Sequence, residues 1–186
     1  MAPELAAQGN APRCDARVGQ TSGRGGAQIQ SLKDLASAAT AIVDGQVQSV
    51  TPFQLRNNAG EDVFGEDVFI VVRSVLKGAV STQQVVIRQS LNRAGQAFGG
   101  GFKMAPGQRY VLFFRDPGAP EKPGVTRYTL VADPSSKLCV DGNQIRLEPR
   151  STIEARFKDS NVDKTIAEIR EITGVVRRET GADAPR

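Results

Sequence analysis

Two cysteines, Cys14 and Cys139, and two acidic pairs, Glu61-Asp62 and Glu66-Asp67, are the residues whose types first invite chemistry. Two neighbouring carboxylate pairs could hold a hard cation such as Ca²⁺ through oxygen ligands. They suit a solvated hairpin end better, and that is the expectation here. Two cysteines are too few for an all-Cys zinc site. They are either one disulfide or two unrelated thiols. The chain contains no His. That excludes Ser-His-Asp and Cys-His catalysis and most zinc sites that use imidazole. No residue pattern places a nucleophile beside a base, so no enzyme, no cofactor and no metal site is expected.

A glycine run, Gly99-Gly100-Gly101, sits in the loop 91–105 and raises the question of phosphate binding. A P-loop needs Gly-Lys-Ser/Thr at the opening of a helix. Here the run passes through Phe102-Lys103-Met104-Ala105 to Pro106 and then into a strand pattern. The loop reads instead as a connection. It also reads as a possible interaction loop, because Phe98 and Phe102 lie close in sequence to Arg93 and Lys103. Aromatic and basic residues recur as neighbours at Arg109-Tyr110, Phe114-Arg115, Arg127-Tyr128 and Phe157-Lys158. Single-stranded nucleic acid binders combine such residues, but strand alternation alone yields the same pattern, ring in and charge out.

The elements that must position these residues are mostly strands. The chain has 186 residues, 39% apolar and 24% charged, with a net charge of +4. A domain of about 150 residues buries roughly 68–70% of its unfolded surface, so a single core suffices. No apolar run approaches the ~20 residues of a membrane helix. Residues 1–28 are Ala/Gly/Pro/Gln-biased and read as a disordered arm; they lack the basic and apolar regions of a secretory leader. One domain is expected over 29–174, with a flexible tail at 175–186.

Ser31 with Asp34 three residues on is a weak capping box, and Leu32, Leu35 and Ala36 share a helix face. Ala41, Val43, Gly45 and Val47 alternate as a strand, with a bulge or bend at Gly45 and an end at Thr51-Pro52. The run "EDVFIVVRSVLKG" reads as one long strand, much of it covered on both faces, turning at Gly78 and pairing with "QQVVIRQS". "RYVLFFR" and "RYTLVA" are strands separated by a Pro/Gly loop, "PGAPEKPG". "KLCVDGNQIRL" is a hairpin turning at Asp141-Gly142. Asn161 caps a helix over 162–173, with Ile166, Ile169 and Ile172 on one face and Gly174 ending it.

In this order, "ASAATAIVDGQV", "VVRSVLKG", "MAPGQRYVLFF" and "SKLCVDG" resemble the netrin-like module of the tissue inhibitors of metalloproteases, and more closely its bacterial secreted relatives. The resemblance implies a mainly β fold, an OB-fold-like barrel of approximately five strands with a short N-terminal helix and a C-terminal helix. It also implies a non-enzymatic protein-binding role and a secreted or cell-envelope location. On that resemblance Cys14 matches the N-terminal cysteine region and Cys139 the later barrel cysteine, and the two are expected to pair. The implied partner is a protein of unknown identity, with a protease among the candidates. One alternative is an OB module for single-stranded nucleic acid or another polyanion, with nucleic acid the lesser expectation. A second is metalloprotease inhibition, whose Cys-x-Cys is incomplete here because residue 16 is Ala.

Overall fold

The computed structural model describes residues 14, 31–80, 83–91, 93, 95, 103–122, 125–131, 135–147, 151, 153 and 157–174. The arm expected at 1–28, apart from Cys14, and the tail expected at 175–186 lie outside these residues. The elements run α1 (Leu32–Ala38), β1 (Ala41–Arg56), β2 (Asp62–Lys77), β3 (Gln84–Leu91), β4 (Arg109–Lys122), β5 (Val125–Leu130), β6 (Lys137–Asp141), β7 (Gln144–Arg146) and α2 (Val162–Thr173). The fold is mainly β. Seven strands form one sheet in the order β1-β2-β3-β5-β4-β6-β7, and β1 also pairs with β4. Strands β1, β2, β3, β5 and β4 therefore close a ring of pairings. All of these are antiparallel except β3 with β5.

Strand alternation sorts the apolar residues of β4 onto two sides. Tyr110, Leu112 and Phe114 join Val43, Val68, Ile70, Val85, Ile87 and Tyr128 in the cluster inside the ring. Val111 and Phe113 face the other way, into a second cluster with Ile42, Leu76, Leu138 and Ile145. The helices complete that second cluster through Leu32, Leu35, Val162, Ile166 and Ile169. Both helices are capped as their sequences predict. Ser31 accepts from the Asp34 amide, and Asn161 accepts from the amides of Asp163 and Lys164. Gly174 ends α2 in the left-handed conformation.

Two glycines permit close approaches. At Gly45 a Cβ would sit 2.5 Å from Ile70 Cγ2, and the β1–β2 register shifts beside it, as the bend in its sequence predicts. Gly78 takes φ +74°, and a Cβ there would meet the Thr40 carbonyl at 2.2 Å.

Three sequence expectations are corrected. Strand β1 does not end at Thr51-Pro52 but runs to Arg56. Pro52 is tolerated because β1 pairs with β4 only over Ala41–Gln46, leaving β2 as its neighbour further on. The segment "PGAPEKPG" is not simply a loop: β4 continues through it to Lys122, with register shifts at Pro117 and Pro120 where proline cannot fill a regular ladder. The long strand is covered on both sides only at its end, where Leu76 enters the helix-covered cluster while Val68 and Ile70 lie in the ring cluster. Val68 and Ile70 are fully buried, whereas Val71 and Val75 are each 38% exposed.

Candidate functional site

The disulfide joins Cys14 to Cys139, 125 residues apart. Cys139 lies on β6 opposite Tyr110 of β4 and is fully buried in the ring cluster, against which Cys14 packs. A point of the N-terminal region is thus stapled to the ring interior.

The predicted interaction loop is only partly visible. Phe98 and Phe102 lie outside the described residues. Arg93 is exposed. Lys103 is not a free rim cation: its Nζ lies 2.8 Å from Glu66 Oε1. Next to it, the Met104 amide donates to Gln89 Oε1 at 3.1 Å, and Met104 is fully buried. Cross-strand register sets Glu66 opposite Gln89 and on the face that Val68 and Ile87 bury. The end of the loop is therefore fixed to the inner side of the β2–β3 hairpin, with Glu66 Oε2 buried and without a partner.

The two acidic pairs are not brought together. No group of three or more potential metal ligands occurs among the described residues. Glu61 accepts from Asn57 at the β1–β2 turn, as a solvated hairpin end should. Glu66 and Asp67 alternate across β2, Glu66 inward and Asp67 outward.

On that outward side lies a set of residues that sequence motifs do not reveal. Asp67 takes a bidentate bond from Arg88 of β3, with Nε–Oδ1 2.9 Å and Nη2–Oδ2 3.0 Å. Arg127 of β5 donates to the same Oδ2 at 3.1 Å. The Arg88 guanidinium also lies over the Phe53 ring, 4.2 Å from its centroid. Phe53 can reach it because Gly65, its cross-strand partner, has no side chain; a Cβ there would sit 2.4 Å from the ring. Four strands thus contribute one continuous ladder, Phe53–Arg88–Asp67–Arg127.

The ladder borders a groove. Strands β3 and β5 pair over only Val85–Ile87 and Thr126–Tyr128. Where they part, a cavity of about 310 Å³ is lined by Ile87, Arg88, Arg127, Tyr128, Thr129 and Leu130. Tyr128 is nearly buried there, its ring 4.7 Å from that of Phe114, and desolvation raises its phenol above the ordinary value.

A second bidentate pair, Arg109 with Asp44, lies on the helix-covered side, at 2.8 and 2.9 Å. The Asp44 bond holds the Arg109 guanidinium pKa above its usual value despite desolvation. Of the aromatic-basic neighbours, Arg109-Tyr110 and Arg127-Tyr128 put the ring in the core and the charge in an ion pair. Alternation, not stacking for a ligand, accounts for them.

No helix among the described residues is long and apolar enough to cross a membrane. No protein-family model matches this chain, and no curated protein matches it.

Proposed function

We propose that this chain is a non-enzymatic protein-binding module acting outside the cytoplasm, built on an OB-type ring of the netrin-like kind. The observation that carries the reading is the outer side of β2, β3 and β5. Among the described residues, none of β3 or β5 belongs to the helix-covered cluster. That side instead carries the Phe53–Arg88–Asp67–Arg127 ladder and the exposed Val71. Aromatic, arginine and scattered apolar groups are the composition of protein interface centres. The OB-type reading is supported by the strand order around the ring and its single parallel contact. An oxidising compartment is supported by the Cys14–Cys139 disulfide. The non-enzymatic reading is supported by the use of carboxylates: Asp44, Glu66 and Asp67 are each spent on a cation that ties strands or loops together.

Binding of single-stranded nucleic acid is the weaker reading. It needs exposed ring faces for bases. The Phe53 face is occupied by Arg88, and the Tyr128 ring is nearly buried beside Phe114.

The test is saturable capture by the immobilised, disulfide-intact protein from secreted and envelope fractions, with free protein as competitor and a labelled octathymidylate in parallel. A captured protein that competes away, and that a Val71→Arg surface of unchanged Tm no longer retains, supports the reading. Retention of the oligonucleotide alone sinks it.

A further inference from the structure

The partner's chemistry follows from the groove between β3 and β5, and this inference rests on the protein-binding reading above. We infer that the groove takes an extended acidic peptide segment, with an Asp or Glu carboxylate on Arg88 and Arg127 and a neighbouring apolar side chain against Leu130.

The shape argument starts from the ladder. The β3–β5 pairing is three residues long, whereas β3 has eight residues and β5 six. The groove of about 310 Å³ is the space that opens where the two strands diverge. Walls made of strands suit a chain in extended conformation, whose successive side chains alternate sides. One side of such a segment would meet the arginines and Thr129, the other the apolar floor.

Charge supplies the class of side chain. Both arginines line the groove, with side chains 33% exposed at Arg88 and 20% exposed at Arg127. They are also held in place beforehand. Asp67 grips both, and Phe53 lies under Arg88. An arginine already ordered loses less rotamer freedom when a ligand arrives, and its planar fork fits a carboxylate. A phosphate chain fits less well. It would lie against the Asp67 carboxylate and find no open ring face at Phe53 or Tyr128.

The experiment uses the full chain, ¹⁵N-labelled, titrated with an acetylated, amidated hexapeptide alternating valine and glutamate. Saturating shifts are expected at the amides of Arg88, Thr129 and Leu130. The same peptide with glutamine for glutamate should bind at least about tenfold more weakly, since charge-assisted bonds are roughly twice as strong as neutral ones. Arg127→Gln should weaken the glutamate peptide by a similar factor at unchanged Tm. Arg88→Lys is the second variant, keeping the charge but losing the fork, and should also weaken binding. Equal binding of the glutamine peptide overturns the inference. So do an absence of shifts at millimolar peptide and stronger shifts of these amides with octathymidylate. A captured protein partner retained undiminished by Arg127→Gln overturns the groove and leaves the protein-binding reading standing. Peptide binding with no protein captured does the reverse.

Discussion

Two bidentate Arg–Asp pairs sit on opposite parts of the sheet, and they differ in what surrounds them. Asp44–Arg109 lies on the side covered by the helices, with side chains 7% and 22% exposed. Asp67–Arg88 lies on the outer side of β2 and β3, at 20% and 33%, and shares its carboxylate with Arg127. The geometry of the two is nearly the same. The covered pair is cut off from most of the water that would replace a lost partner, so it locks β1 to β4. The open pair keeps access to solvent, so it can meet a ligand at small cost to the fold. What separates the two is burial of the carboxylate, 7% at Asp44 against 20% at Asp67, and not bond length; Arg127 at 20% is as covered as Arg109 at 22%.

The largest effect that tests this contrast is on the apolar residues beside each pair. Phe113 is fully buried in the helix-covered cluster. Phe113→Ala should cost about 4 kcal/mol, the transfer and cavity terms together. Phe53→Ala, which removes the ring beneath Arg88, should cost about 1 kcal/mol. Urea unfolding measures both. Comparable losses at the two sites would mean that the outer side is core.

Next in size is the staple. Replacing both Cys14 and Cys139 by Ser should cost about 3 kcal/mol, because the bond closes a long loop in the unfolded chain. Non-reducing mass spectrometry and a denaturation curve test it together. Two alkylatable thiols in protein made under oxidising conditions would remove the covalent link, and with it the main support for an oxidising compartment.

The ion pairs themselves come third. Asp44→Ala leaves the Arg109 charge largely buried, and a loss of about 2 kcal/mol is expected, below the usual 3–5 for a fully buried pair because Arg109 keeps some water. Asp67→Ala should cost less, about 1 kcal/mol, because the carboxylate and Arg88 keep more water even though Arg127 is as covered as Arg109, yet it should loosen both arginines and weaken the glutamate peptide. If Asp67→Ala destabilises as much as Asp44→Ala, the outer ladder holds the fold and the contrast fails.

These two sides were unequally legible in the sequence. The covered side declares itself locally: Ser31 and Asn161 cap their helices, and residues 110–114 alternate between the two clusters. Its periodicities arise within single elements. The outer ladder joins Phe53, Asp67, Arg88 and Arg127, each from a different strand, and only the register brings them together. In the sequence Asp67 is one half of an acidic pair and Arg127 one half of an aromatic-basic pair. The signal that could have found the site is the β2–β3 hairpin register, which sets Asp67 opposite Arg88. Prolines misled for a related reason. Pro52 read as a strand end and Pro117 and Pro120 as part of a loop, but an edge or a register shift accommodates each. The glycine-rich loop drew attention to Phe98 and Phe102, which lie outside the described residues, while its Lys103 is engaged by Glu66.

The smallest expected effect sits where the two environments meet. Tyr128 lines the groove but is only 5% exposed, with its ring against Phe114 of the inner cluster. Desolvation raises its phenol above the ordinary value of about 10. The unfolded chain therefore releases that proton at a lower pH than the folded one. Linkage gives the sign: the contribution of Tyr128 is fully present below about pH 10 and is lost as pH rises through the higher folded value. Stability should thus be flat in this respect across neutral pH and acquire a falling alkaline limb. Tyr128→Phe should reduce that limb while changing stability at pH 7 by less than about 1 kcal/mol. Tyr110→Phe is the control, since these are the only two tyrosines of the chain. A limb unchanged in Tyr128→Phe would mean that the phenol is hydrated in the folded state. Water would then reach the groove floor, and the apolar half of the proposed peptide contact would be lost.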